Sequence, residues 1–294
     1  MPETMAGFPY WQVTFDEQGR PAPQAGVDTL LADLPGESLT DLFIFSHGWN
    51  NDVPMARATY GRFFQTMRDV LQTPGLTFQR AGSIGTAGVI WPSMLWPDNG
   101  PAPSGGNGGA SPAGGPGAFL GTPAPAAPPA SDADIFQTLR AVYTGQAQQQ
   151  ALDELEHLLA TQPSDPAALA SFQQNMRVLA SGPDAKPAPE DSGETTLLTG
   201  DPQKIFSRFV AFSPPQPGAG GAASLGDAFG RLWSGARDAL RQATYFEMKK
   251  RAGVVGSAGL GPLVGQVLAA QPALHVHLIG HSFGARLVSF ALSG

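Results

Sequence analysis

The chain has 294 residues, 42% of them hydrophobic, enough to bury the core of one large domain or two small ones. A formal charge of −7 and an isoelectric point near 5.1 oppose attraction to phosphate backbones and anionic lipid, so nucleic acid is not an expected partner. Cysteine is absent, which removes disulfides, thiolate metal sites and cysteine nucleophiles together, while abundant Gly (37) and Pro (28) imply that part of the chain is linker.

The first residues carry no basic stretch followed by an apolar run, so no secretory signal is expected and the reading is cytoplasmic. Residues 10–15 read as a short strand closed by the turn-forming Asp16-Glu17-Gln18-Gly19. Leu42-Phe43-Ile44-Phe45 is an apolar run too short for a helix, as expected of a strand buried on both faces. It leads through Ser46 into His47-Gly48-Trp49-Asn50-Asn51. Pro54 opens a helix to about Leu71 with Tyr60, Phe63, Phe64 and Met67 on one side, and residues 87–91 form another strand, stopped by Pro92. Residues 1–96 make one segment of an α/β core.

Residues 97–130 are Pro, Gly, Ala and Ser with little to bury, and predict a flexible linker. Residues 131–223 read as a helical insertion. Ser131 caps a helix that carries Ile135, Leu139 and Val142; Leu152, Leu155, Leu158 and Leu159 mark a second; Asp165-Pro166 starts a third. A polar stretch over 181–200 and a Gly/Pro-rich break over 214–223 read as hinges, with a helix starting at Asp201-Pro202 between them. Amphipathic helices between hinges suggest a lid, or equally a plain helical packing unit.

Residues 224–294 return to the core. Phe229, Leu232, Trp233, Ala236, Leu240 and Ala243 predict a long amphipathic helix ending at Lys249-Lys250-Arg251, and residues 262–270 one more short helix. Residues 252–285 carry no charge, yet their glycines, Pro262, Gln266, Gln271 and histidines argue against a membrane span. Gly256, Gly259 and Gly261 do not form a nucleotide loop, since no strand precedes them and no lysine follows. A strand over 274–279 then delivers Gly280-His281-Ser282-Phe283-Gly284, and residues 285–292 read as a helix.

Gly-x-Ser-x-Gly is a weak pattern in a chain this rich in Gly and Ser, so its context must carry the meaning. Here it sits where an apolar strand meets a helix. A serine on so sharp a turn is strained, the glycines two before and two after it prevent collisions, and its hydroxyl stands at amides of a helix N-terminus. Phe43-Ile44-Phe45-Ser46-His47-Gly48-Trp49-Asn50 and Val276-His277-Leu278-Ile279-Gly280-His281-Ser282-Phe283-Gly284 resemble the α/β-hydrolase superfamily, in the branch whose oxyanion loop begins with a bare His-Gly.

The resemblance implies an α/β-hydrolase fold, a mostly parallel sheet flanked by helices, with Ser282 as nucleophile and Gly280 and Gly284 supporting its turn. The oxyanion hole would be the backbone N–H groups of Phe283 and Trp49, the latter on the loop after the third strand, with His47 and Gly48 shaping that loop. The function implied is hydrolysis of a carboxylic ester or related acyl substrate, with amide or thioester hydrolysis or acyl transfer as variants and no cofactor or metal. From another class, a catalytically inactive hydrolase fold serving as a binding or scaffold module stays open. The family's order is nucleophile, acid, histidine, and residues 283–294 contain no Asp, Glu or His. The expectation is therefore an N-terminal fragment, inactive alone, whose triad acid and histidine lie elsewhere. His275, His277 and His281 read as packed or satisfied histidines and His157, among leucines of the insertion, as partly exposed, and no carboxylate nearby completes a metal site with the first two. Trp49, Trp91 and Trp96 follow strand ends and suggest an apolar wall for an acyl group, or ordinary core aromatics.

Overall fold

A computed structural model describes residues 2–74, 83–93, 131–181, 192–212 and 225–293. The expected linker over 97–130, the break over 214–223 and Trp96 lie outside the described residues. The chain divides into two compact units, Met1–Ala127 with Met248–Gly294, and Pro128–Glu247.

The first unit is α/β. Its described elements begin with β1 (Glu3–Met5), β2 (Phe8–Thr14), α1 (Gln24–Glu37), β3 (Asp41–Ser46), α2 (Val53–Leu71) and β4 (Ile84–Ile90). After the second unit come a π-helical turn (Val255–Leu260), a helix Gly261–Ala270, a strand His275–Gly280 and a helix Phe283–Ala291. With that strand as β5, the sheet order is β1-β2-β4-β3-β5, β1 antiparallel to β2 and every other pairing parallel. Small side chains let β4 run buried along almost its whole length, and β3 is nearly as enclosed. β5 lies at the sheet edge and is half-buried.

Alternation along the strands divides the apolar residues between two faces. On one, Tyr10, Phe45 and Ile90 meet Ala56, Tyr60 and Phe64, the buried stripe of α2 at four-residue spacing. Asp52 caps α2 by accepting the Met55 N–H at 2.8 Å, and Pro54 occupies its first turn, where no N–H is needed. On the other face the Trp11 indole N–H reaches Asp33 of α1 at 3.2 Å. The helix Gly261–Ala270 lies beside α1, and Phe283–Ala291 lies beside Gly261–Ala270 and the π-helical turn. Gly256 and Gly259 allow that packing: a Cβ would stand 2.2 Å from the Leu287 carbonyl and 2.7 Å from the Gly19 carbonyl respectively.

The second unit is helical: α3 (Asp132–Val142), α4 (Gln146–Thr161), α5 (Pro166–Ser181), α6 (Ser192–Thr199), α7 (Pro202–Phe212) and most of α8 (Leu225–Val254). The two short helices that follow the π turn and β5 are accordingly α9 and α10. Ser131 and Asp134 close a reciprocal cap on α3, at 3.2 and 3.1 Å. Phe172 packs edge-on against Phe206 and Trp233 in the centre of this unit.

Five features depart from the sequence reading. β1 and α1 were not anticipated. Part of the supposed polar hinge over 181–200 is α6, whose Leu197 and Leu198 are buried and whose end is held by the Gln173 side chain, which donates to the carbonyls of Leu197 and Gly200 at 3.0 and 2.9 Å. The long helix does not stop at its basic cluster but continues into the π turn, because Ala252, Val255 and Leu260 still have core to face. Finally, the boundary between units falls within α8, so 225–247 group with the helical unit and not with the core. The helical run Phe229–Ala270 is long and apolar enough to cross a membrane by length and composition, a test that core helices also pass, and 44% of its apolar window is buried.

Candidate functional site

Only His281 and Ser282 separate β5 from α10. Ser282 has φ 55° and ψ −121°, a conformation that costs a residue bearing a Cβ roughly 1–3 kcal/mol. Three backbone hydrogen bonds hold the turn: His281 N–H to Ser46 O at 3.0 Å, Gly284 N–H to His281 O at 2.8 Å, and Ala285 N–H to Ser282 O at 2.9 Å. The side chain of Ser282 is exposed. Both flanking glycines are sterically required. A Cβ on Gly280 would lie 2.3 Å from the Gly284 carbonyl, and one on Gly284 would lie 2.1 Å from the Ser46 carbonyl and 2.6 Å from that of His47.

The loop after β3 meets this turn directly. A Cβ on Gly48 would fall 2.9 Å from both Ser282 Cβ and the His281 carbonyl, so only glycine lets the two segments approach this closely. The Trp49 and Phe283 rings lie 6.3 Å apart, which brings together the two residues whose amides the resemblance nominated.

His47 is buried, and all its polar groups are engaged. Its N–H donates to the Tyr60 hydroxyl at 2.9 Å, and that hydroxyl donates to the Val89 carbonyl. The Trp91 N–H donates to His47 Nε2 at 3.3 Å, which makes Nδ1 the protonated nitrogen, donating to Gly48 O at 2.9 Å. The Trp91 indole N–H bonds the His47 carbonyl at 3.0 Å, and the two rings stack 10° from parallel. Burial, with the nearby His281 adding to it, lowers the His47 pKa to about 4 against the opposing bond to Gly48. The ring is neutral at pH 7.

Trp91 is therefore buried beneath the loop, holding His47, and not exposed along an apolar wall. Asn50 takes a left-handed φ of 64°, which Asn tolerates. Asn51 turns its side chain back to donate to the Gly48 and Trp49 carbonyls at 3.2 and 2.9 Å. These roles of Tyr60, Trp91, Asn51 and Ser93, which bonds the Asn51 backbone, were missed in the sequence; the Asn-Asn-Asp run before Val53-Pro54 was the available sign.

None of the histidines described in this unit donates to or accepts from Ser282. His47 is committed as above, His277 Nε2 meets Asp41 Oδ1 at 2.8 Å while its ring stacks on Phe43 at 4.3 Å, and His275 Nδ1 lies 3.3 Å from Thr40 O. His281 is exposed beside the serine. Among the described residues no group of three or more His, Cys, Asp or Glu could hold a metal ion.

Ser282, Phe283, Gly280, Gly284, His47, Gly48 and Trp49 thus come together at one end of the parallel strands. The chain matches no family model, no curated protein and no solved structure.

Proposed function

We propose that this chain carries the nucleophile of a serine hydrolase with an α/β-hydrolase fold, acting on a carboxylic ester or a related acyl substrate. The observation behind the reading is a strained, exposed Ser282 between a parallel strand and a helix, with Gly48 of the loop after the third strand against its Cβ. In the resembled family that pairing of a nucleophile turn with an oxyanion loop is the reactive centre.

Ser282 Oγ attacks the acyl carbonyl carbon, its proton passes to a histidine base, and the carbonyl oxygen becomes an oxyanion bound by the Phe283 and Trp49 N–H groups. Collapse of the tetrahedral intermediate expels the alcohol, which takes the proton from that histidine, and water then releases the acid from the acyl-enzyme by the same sequence. One missing oxyanion donor costs roughly 3 kcal/mol, so the reading makes the Gly48–Trp49 turn matter to rate. His47 is unsuited as the base, since both ring nitrogens are engaged and burial disfavours its cationic form. The reading therefore requires a base other than His47, with an acid to orient it.

The test is covalent labelling of the full-length protein by a fluorophosphonate, with Ser282→Ala as control. Labelling of the wild type alone is expected. Equal labelling of both removes Ser282 as nucleophile, and a folded wild type that takes no label favours the inactive scaffold.

A further inference from the structure

We infer that Asn51 is a positioning residue for the oxyanion loop, clamping the Gly48–Trp49 peptide so that its carbonyl points inward and the Trp49 N–H toward Ser282. The inference rests on the hydrolase reading above. A trans peptide sets C=O and N–H in opposite directions, so whatever fixes the Gly48 carbonyl also fixes the Trp49 amide. Two donors fix it here: His47 Nδ1 at 2.9 Å and Asn51 Nδ2 at 3.2 Å. The same residue, Gly48, is the one that approaches Ser282 Cβ, so the clamp acts where the two segments meet.

The residue type follows from the partners. Asn51 Nδ2 faces two carbonyl oxygens, those of Gly48 and Trp49, and an amide NH₂ carries one hydrogen for each. Aspartate has the same shape but would set an acceptor oxygen against both. Asn51 is itself anchored, for the Ser93 hydroxyl accepts its backbone N–H at 3.2 Å and donates to its carbonyl at 2.8 Å. Ser93 follows β4 and Gly48 follows β3, so the clamp ties the loop to the neighbouring parallel strand. His47 fastens the same peptide from the other strand-end residue, Trp91.

The experiment compares Asn51→Ala and Asn51→Asp with the wild type in the full-length protein. It measures the second-order rate of fluorophosphonate labelling, the end-point stoichiometry and the thermal midpoint. Phosphonylation places a developing negative oxygen where the acyl oxyanion would form, so its rate reports on the Trp49 amide. The expected result is complete end-point labelling in all three, with the rate reduced roughly 10- to 100-fold in Asn51→Ala and further in Asn51→Asp. A purely structural role would lower the end point or the midpoint and leave the rate of the folded fraction unchanged, and that result overturns the inference. Wild-type rates in both variants overturn it as well, while the hydrolase reading survives. A folded wild type without label at Ser282 overturns both.

Discussion

Protonation of His47 should release the loop that faces Ser282, and its cost follows from where the ring sits. The side chain is 2% exposed, and burial lowers its pKa to about 4 from an ordinary value of 6.5. Between those two values the unfolded chain binds more protons at this residue than the folded one, so stability falls as the pH falls. Above about 6.5 the ring is neutral in both states and the contribution is flat; below about 4 it is protonated in both and the loss is complete. At about 1.4 kcal/mol per pH unit, the interval amounts to about 3 kcal/mol. Protonation would also turn Nε2 into a donor facing the Trp91 N–H donor, breaking the 3.3 Å bond that sets the tautomer. The assay is urea unfolding at steps from pH 7 to pH 4, for the wild type and for His47→Asn, which cannot titrate there. Carboxylates common to the two proteins drop out of the difference between the curves. That difference should change by about 3 kcal/mol across the range, whatever the variant costs at pH 7. A difference independent of pH would mean that the imidazole is not held neutral beneath the loop, and the account of His47 would fail.

Gly284→Ala should destabilise by about 3 kcal/mol or prevent folding, since its Cβ would press on the Ser46 carbonyl, whereas Gly265→Ala on α9, with nothing within 4 Å, should stabilise by about 0.5–1 kcal/mol; similar denaturation midpoints for the two would refute the steric reading. Ser282→Gly should raise stability by about 1–3 kcal/mol over Ser282→Ala by relieving the positive φ while abolishing any fluorophosphonate label, and equal midpoints would show that the turn stores no strain. Tyr60→Phe removes the hydroxyl that joins the His47 N–H to the Val89 carbonyl, both buried, and should cost about 2–4 kcal/mol in a denaturant titration; an unchanged midpoint would show that the bridge is dispensable.

Much of the parallel sheet was legible because its interior strands are enclosed on both faces. Such strands leave unbroken apolar runs like Leu42-Phe43-Ile44-Phe45, which no surface element needs. The start of β4 was less readable, since Gly85 and Gly88 are poor strand formers taken alone. Yet a Cβ at 85 would strike Leu39 at 2.5 Å, and one at 88 would strike the Tyr10 hydroxyl. α1 was hidden for a related reason. Pro23, Gly26 and Pro35 taken alone are breakers, but Pro23 precedes the helix, Pro35 falls in its last turn, and Gly26 sits where a Cβ would stand 2.7 Å from the Gln12 carbonyl. β1 offers three residues, too few for any period to register. At Gly26, Gly85 and Gly88 the residue choice answers to a neighbour distant in sequence, and propensity cannot see that neighbour.

The same division runs through the site. Ser282, Gly280, Gly284 and the His47-Gly48 pair were readable because each requirement is local: a bend too tight for side chains, or a peptide that must come close. What keeps the loop in place was not, because it depends on partners such as Trp91, 44 positions from His47, which only the register of β3 beside β4 brings near. Three glycines, at 48, 280 and 284, allow three backbone segments to share the space around one serine. Their lack of side chains also leaves those segments no side-chain packing of their own there. The rigidity that a strained serine needs must come from the layer beneath, and Tyr60, Trp91, His47 and the half-buried Asn51 supply it with directional hydrogen bonds. A chain that kept the glycines and lost that layer would retain the recognisable motif while losing the geometry on which the proposed reactivity depends.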